Sequence, residues 1–108
     1  MTETRKTDAE LIYHLTTEEA FAMAEEYGTL SSDSLATEGF IHCSFSHQLE
    51  GVLQRYFSGA GEVLVVEIDV RNLVSELKVE ESTGNEDYPH IYGEINIDAI
   101  SGSIKILA

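Results

Sequence analysis

Three of the four histidines lie inside short apolar runs, and an imidazole is the side chain best suited to acid–base chemistry near neutral pH. The runs are Ile12-Tyr13-His14-Leu15-Thr16, Gly39-Phe40-Ile41-His42-Cys43-Ser44 and Tyr88-Pro89-His90-Ile91-Tyr92-Gly93. Each run has the composition of a β-strand. A buried imidazole needs a partner, because an unpaired polar group in a core is unfavourable. We therefore expect the three rings to converge on one site, although each could instead donate to a nearby carbonyl within the core.

Strand alternation predicts a hydroxyl beside two of these imidazoles. His14 and Thr16 would share one face of their strand, and His42 and Ser44 would share one face of theirs. An imidazole and a hydroxyl at the end of a strand can bond adjacent hydroxyls of a bound sugar. His14, Thr16 and Ser44 are therefore candidate ligand-binding residues. The alternative is local, with Thr16 capping a helix and Ser44 satisfying nearby backbone.

The third run adds acid–base candidates. His90, Tyr92 and Glu94 would share a face, and we take His90 as an acid or base beside Tyr92, itself a candidate ligand-binding residue. His42 and Glu80 are the other catalytic candidates. Glu80 comes shortly before a loop predicted over residues 82–87, so its carboxylate could swing over a pocket, although a solvated strand end is the simpler interpretation.

Cys43 and His47 are given structural interpretations. Cys43 would lie on the strand face opposite His42, so we expect a small buried thiol rather than a nucleophile. His47 is expected at the surface. One cysteine cannot form an internal disulfide, and the polar start Met1 to Asp8 does not resemble a signal peptide. These features indicate a reducing, cytoplasmic setting.

The length of the chain predicts its domain organisation, and its net charge limits the classes of partner that it can bind. The 108 residues are 43% hydrophobic, which predicts a flexible arm over residues 1–10 and a single domain over residues 11–108. Twenty acidic residues against six basic ones give a formal charge of −14, which disfavours long nucleic acid and anionic membranes. The oligomeric state cannot be inferred. A small anionic ligand could be met by Arg55, Arg71 or Lys78, and Arg55 is the ligand-binding candidate among them.

The hydrophobic pattern predicts an α+β fold of two helices and about six strands in a mixed split sheet. The irregular order of elements argues against a doubly wound sheet. One helix is predicted from an N-cap at Thr16 to Tyr27, closed by Gly28, and the second from a cap at Ser46 through Phe57. A polar loop is predicted over residues 31–34. The predicted strands cover residues 11–15, 40–44, 63–68, 77–80, 91–97 and 103–107.

Four segments together resemble the bacterial family called domain of unknown function 952, over about residues 11 to 100. They are the segments Ile12 to His14, Gly39 to Ser44, Leu77 to Glu80 and Tyr88 to Gly93. That family in turn is similar to a small relative of the ADP-ribosyltransferase fold, whose members bind NAD in a cleft of a split sheet. The resemblance thus implies an ADP-ribosyltransferase-like fold and an NAD-type ligand.

The resemblance also assigns roles to positions. Tyr13-His14-Leu15-Thr16 looks like the element that contacts the nicotinamide ribose, with Leu15 where glycine is usual. Gly39 to Tyr56 is similar to the second element. A third element normally supplies a glutamate, and this chain has no clear match there. His90 lies near that place, and Glu94 and Glu80 are the nearest carboxylates.

Three function classes follow. The first is a nucleotide-type ligand-binding domain, for NAD or an ADP-ribose-like molecule, with transferase or phosphotransferase activity on a nucleotide or an RNA end. The second is a metal-dependent enzyme in which His14, His42 and His90 hold the ion, although no two of them have the short spacing of common zinc motifs. The third is a non-catalytic interaction module in which these histidines tie the sheet together.

Overall fold

The structure is a computed structural model and describes residues 10–108, apart from the side chain of Thr83. The predicted arm over residues 1–10 therefore lies outside the described residues, except for Glu10. The described chain forms an α+β fold with more elements than the pattern predicted. The helices are α1 (Glu18–Tyr27), α2 (Asp33–Glu38) and α3 (Leu49–Tyr56). The strands are β1 (Leu11–Thr16), β2 (Thr29–Leu30), β3 (Ile41–His42), β4 (Glu62–Asp69), β5 (Glu76–Glu81), β6 (Asp87–Tyr92), β7 (Ile95–Asn96) and β8 (Ile100–Leu107).

The strands form three sheets rather than one. Strand β4 lies between β1 and β8, β6 lies between β3 and β5, and β2 pairs with β7. We call the first two the β4 sheet and the β6 sheet. Every strand pair in residues 10–108 is antiparallel, so the predicted mixed sheet is wrong. A single bridge between Tyr13 and Ser44 connects β1 to the segment that follows β3.

Helix α1 begins one residue later than predicted. Thr16 still pairs with Leu64 of β4, so it belongs to the strand and cannot act as the N-cap. Thr17 takes that place, and its Oγ1 accepts a hydrogen bond of 3.0 Å from the amide of Ala20. The helix ends at Gly28, whose φ of 90° is the left-handed conformation that glycine adopts readily.

Helix α2 replaces part of the predicted polar loop over residues 31–34. It is only six residues long and is anchored by one apolar side chain, Leu35, so its sequence lacks the periodicity of a longer helix. Strand β3 is also shorter than predicted. After His42 the backbone leaves β6, and Ser44 exchanges two hydrogen bonds of 2.8 Å with Tyr13 of β1.

The predicted cap at Ser46 is wrong. A single 3₁₀ turn over Ser46–Gln48 precedes α3, and the buried Gln48 side chain accepts a 2.9 Å hydrogen bond from the amide of Phe45. The predicted strand over residues 91–97 is divided into β6 and β7. Between them Gly93 approaches Ser75 so closely that a Cβ atom would collide with the serine side chain. Strand β8 begins three residues earlier than the predicted strand over residues 103–107.

The apolar core lies between the two three-stranded sheets. Side chains of β4 that alternate along the strand, Leu64, Val66 and Ile68, are buried there with Ile12 of β1 and Ile91 of β6. This agrees with the central strand expected at residues 63–68. Within residues 10–108 no helix has the length and apolar character needed to cross a bilayer.

Candidate functional site

A cleft of about 560 Å³ opens where β1, α2, the β3 segment and α3 meet. Its size lies within the range of small-molecule sites, roughly 300–1,000 Å³. The cleft has both hydroxyl and imidazole groups and an apolar wall. It is lined by Tyr13, His14, Leu15, Ser32, Ser34, Glu38, His42, Cys43, Ser44, Val52, Tyr56, Phe57, Ser82 and Tyr88.

His14 is the best-defined polar group in the cleft. It lies opposite Val66 on the core-facing side of β1, which explains its burial. Its Nδ1 donates a 2.8 Å hydrogen bond to the backbone carbonyl of His42. A carbonyl can only accept, so in the neutral ring Nε2 carries the lone pair. Burial lowers the pKa of His14 below its ordinary value of 6.5, which keeps the ring neutral at physiological pH.

Hydroxyl groups come from two segments beside His14. Ser44 is buried and held in place by its backbone bonds to Tyr13. Ser34 of α2 donates from its Oγ to the carbonyl of Phe40 at 2.8 Å, and its Oγ lies 2.9 Å from that of Ser32. These groups provide hydrogen-bond donors and acceptors to the same cleft that His14 lines.

The mouth of the cleft has a histidine paired with a carboxylate. The Nε2 atom of His42 donates to Glu38 Oε1 at 3.1 Å, and both side chains are half exposed. Glu38 is the only Asp, Glu, Lys or Arg among the residues that line this cleft. The polar side of the cleft is therefore neutral to negative.

Tyr88 forms part of the opposite wall. Its hydroxyl accepts a 2.8 Å hydrogen bond from Arg55 Nη2 and donates to Glu86 Oε1 at 3.2 Å. Burial, followed by the bond to Glu86, raises the pKa of Tyr88, so the phenol stays protonated. Arg55 therefore reaches the cleft through Tyr88 and does not itself line it.

A second polar group lies on the outer face of the β6 sheet. His42 and Lys78 are both cross-strand partners of His90, so the three side chains share one face. Ile41 and Leu77 are both partners of Ile91 and share the opposite face, which contacts the core. The face with the histidines is thus the one turned away from the core.

Glu80 connects two residues of this face. Its Oε1 atom accepts a 2.8 Å hydrogen bond from His90 Nδ1 and a 2.6 Å bond from the Tyr92 hydroxyl. The bond from Tyr92, followed by the bond from His90, lowers the pKa of Glu80 below 4.5. Its carboxylate is therefore ionised at neutral pH, and its bond raises the pKa of Tyr92 in turn.

Phe40 covers His90. The two rings stack at 4.1 Å between centroids with an angle of 21° between their planes. His42 and Tyr92 flank Phe40 at 4.9 and 5.4 Å. His90 is 3% exposed, and its Nε2 atom finds no hydrogen-bond partner in the described part of the chain. We call Phe40, Glu80, His90 and Tyr92 the aromatic cluster.

The structure thus brings the predicted residues together in two groups. His14, His42 and Ser44 line the cleft, while His90, Glu80 and Tyr92 belong to the aromatic cluster. His42 connects the groups, because its carbonyl binds His14 and its ring lies 5.5 Å from that of His90.

Three predicted residues lie elsewhere, and a fourth, Lys78, lies beside the aromatic cluster. Thr16 of β1 pairs with Leu64 of β4 and does not line the cleft. Glu94 does not share the face of His90, because β6 ends at Tyr92, and it accepts a hydrogen bond from Thr29 instead. Arg71 makes two side-chain bonds to Asp69. Lys78 lies 4.9 Å from the centre of the Tyr92 ring.

Cys43 and His47 agree with their structural interpretations. Cys43 is free and buried, and burial raises its thiol pKa far above the ordinary value, so it remains an unreactive thiol although it borders the cleft. His47 is exposed, with its ring 6.0 Å from that of Phe45.

Sequence reasoning missed Glu38, Ser34 and Tyr88. Both Glu38 and Ser34 lie on the short helix α2. Ser34 belongs to the loop predicted over residues 31–34, and no element is predicted at Glu38, so the pattern assigns neither residue to a face. Tyr88 could have been found, since it is two residues before His90 on the same predicted strand and shares its face.

The three histidines do not assemble as metal ligands. Among residues 10–108, no three His, Cys, Asp or Glu side chains are grouped so that they could hold a metal ion. The Nδ1 atoms of His14 and His90 are directed to a carbonyl and a carboxylate. The metal-dependent alternative has no structural support in this part of the chain.

A family model described as "Protein of unknown function (DUF952)" matches residues 15–103. The chain belongs to this family, which confirms the resemblance expected from the histidine-bearing segments. A search of curated proteins finds no match.

Solved structures of one bacterial protein share the fold. The crystal structure of protein CC0527 from Caulobacter crescentus superposes with a TM-score of 0.80 at 24% identity, covering 88% of this chain and 84% of that one. Its solution NMR structure gives a TM-score of 0.75 at 24% identity, covering 88% and 83%. At this identity the likeness establishes the fold and nothing about activity.

Proposed function

We propose that this member of the DUF952 family binds a small nucleotide-type ligand, such as NAD or an ADP-ribose-like molecule, in the cleft beside His14. The observation that carries the proposal is the hydrogen bond from His14 Nδ1 to the His42 carbonyl. It fixes the tautomer of a buried ring that lines the cleft, and the buried Ser44 lines the same cleft. An imidazole lone pair and a serine hydroxyl in one cleft provide an acceptor and a donor for the hydroxyls of a ribose.

The charge of the cleft favours recognition through the sugar rather than through phosphates. Glu38 is the only formally charged residue in its lining, and Arg55 is bonded to Tyr88 of the cleft wall. Phosphate groups would therefore extend toward the rim, where Arg55 could meet them. The apolar wall that includes Val52 and Phe57 adds apolar contact area for the ligand.

The proposal extends to transferase activity and to an ADP-ribosyltransferase-like fold. The position of His14 on a first strand that borders the cleft supports them. Leu15 also borders the cleft, so a side chain occupies the space that glycine leaves free for a ligand ring. Glu80 and Glu94 lie outside the lining, and Glu38 beside His42 is the carboxylate within it, so an acid–base step would use that pair.

Ligand titration tests the proposal directly. We expect adenosine, ADP-ribose or NAD to bind the full chain in calorimetric titration, and His14→Ala to weaken binding about tenfold, which corresponds to about 1.4 kcal/mol. Thr16→Val is the matched control, because Thr16 lies two residues away and does not line the cleft. No binding of any of the three at millimolar concentration, or equal losses in both variants, would contradict the proposal.

One observation favours the non-catalytic module instead. Glu80 joins β5 to β6 through His90 and Tyr92, as a purely structural network would. In that case His14→Ala and His90→Ala would lower stability, and none of the three ligands would bind. The same titration separates the two functions, because only the ligand-binding domain predicts binding.

A further inference from the structure

One buried nitrogen of the aromatic cluster has no hydrogen-bond partner among the described residues, an arrangement that folding alone does not favour. His90 Nδ1 donates to Glu80, which leaves Nε2 as an acceptor in the neutral ring, and Nε2 is buried without a partner among the described residues. Nearly all buried polar groups in proteins are hydrogen-bonded, so such an atom calls for an explanation. A nitrogen that gains its partner from a ligand provides one.

Phe40 covers one face of the His90 ring. Its ring lies almost parallel to that of His90 at 4.1 Å, with His42 at one side. Phe40 itself is only partly buried. The volume it fills is therefore flat, is walled by aromatic rings, and adjoins the cleft through His42, which lines both.

The side chain of Phe40 can move without the backbone. The Phe40 carbonyl is held by the Ser34 hydroxyl at 2.8 Å, and Ile41 is paired with Ile91. Rotation about the Cα–Cβ bond is therefore sufficient to uncover His90, and rotation of a partly exposed side chain is fast.

We propose that Phe40 is a displaceable plug, and that the slot it fills receives the planar base of the ligand, which stacks on His90 in its place. This inference rests on the proposed nucleotide-type ligand and adds the location of its base. A ligand with a flat ring and an N–H or O–H donor outside the plane of that ring satisfies both features of the slot, because the ring replaces Phe40 and the donor can reach Nε2 in the plane of the His90 ring. Nucleosides carry both groups.

Chemical modification tests whether Phe40 seals His90. Diethylpyrocarbonate modifies accessible neutral imidazoles, and the exposed His47 serves as the internal standard in peptide mass spectrometry. We expect Phe40→Ala to raise the modification rate of His90 relative to His47 at least tenfold. Phe45→Ala is the matched control, because Phe45 lies beside His47 rather than His90. Because this variant alters the surroundings of His47, the rate of His90 is compared with that of His42 instead. That ratio should be the same in Phe45→Ala as in the original chain.

Adenine tests whether the slot binds a base. It has no ribose, so its binding does not depend on the sugar contacts of His14. We expect adenine to bind Phe40→Ala at least tenfold more tightly than it binds the original chain, because no ring must first be displaced. Bound adenine should also protect His90 from diethylpyrocarbonate. Phe40→Leu, which keeps an apolar side chain but no ring, provides the same test if the alanine variant does not fold.

Two results would overturn the plug. One is a His90 that stays as unreactive in Phe40→Ala and Phe40→Leu as in the original chain. The other is a His90 that becomes reactive while adenine neither binds nor protects it. If adenosine still binds in a His14-dependent manner in either case, the slot is wrong and the proposed function stands. If none of adenosine, ADP-ribose and NAD binds the original chain or any variant, the proposed function fails with it.

Discussion

The cleft and the aromatic cluster each contain a buried histidine, and the partners of the two rings differ. His14 donates to a backbone carbonyl, while His90 donates to the carboxylate of Glu80, a side chain that is 38% exposed. The backbone carbonyl orients the ring of His14 but carries no net charge. The carboxylate of Glu80 orients the ring of His90 and also places a negative charge beside it. The comparison teaches that the same residue type is oriented by a neutral backbone acceptor in one region and by a charged side chain that joins two strands in the other.

The largest expected effect is on stability, and it distinguishes His90 from His42, its cross-strand partner. His90→Ala should lower the free energy of unfolding by about 2–4 kcal/mol, because it removes a buried ring and leaves Phe40 without its stacking partner. The melting temperature should fall by roughly 10 °C or more. His42→Ala is the control, since His42 is exposed, and should change stability by about 0.5 kcal/mol at most. Equal effects in the two melts would refute the distinction.

Between pH 7.5 and 5, the pH dependence of stability should reflect the protonation of His14 in the cleft. Burial lowers the pKa of His14 below 6.5, so the unfolded chain binds the proton more readily than the folded one. Stability is therefore lost as the pH falls through 6.5, with a slope of at most about 1.4 kcal/mol per pH unit. His14→Gln, which can still donate to the carbonyl, should flatten the slope in urea titrations. Ser44→Ala removes a cleft hydroxyl but no titrating imidazole, and a slope flattened equally by both would contradict this assignment.

The smallest effect concerns the aromatic cluster at lower pH. The bonds from Tyr92 and His90 lower the pKa of Glu80 below 4.5, so its stabilising contribution is present above 4.5 and is lost as the pH falls through its lower folded-state pKa. Glu80→Gln should weaken the acid dependence of the melting temperature below pH 4.5, and Tyr92→Phe should do so in part. Tyr27→Phe, at an exposed position on α1, is the control. An unchanged acid dependence in Glu80→Gln would show that its bonds are not maintained in solution.

Much of the fold followed from periodicity. Central strand β4 and the existence of α1 and α3 could be predicted because each has a continuous apolar run or an apolar stripe. Helix α2 could not, since six residues with one anchoring leucine carry no period. The predicted cap at Thr16 failed because only pairing with Leu64 shows where β1 ends.

The candidate site was predictable in its residue types and not in its grouping. Alternation along β6 correctly placed His90 and Tyr92 together, since both bond Glu80. Glu94 was assigned to the same face because the break at Gly93 depends on the approach of Ser75, a contact across 18 positions of the chain.

By itself, the sequence determined the α+β class, the family and the short runs that would contain the important histidines, because these depend on local composition and spacing. Only the tertiary structure decided that His14 and His90 belong to different regions. A strand's own period says which side chains share its face, but not which other segment packs over that face. Here Phe40 covers one imidazole while the cleft adjoins the other, and such long-range packing leaves no periodic trace in the chain.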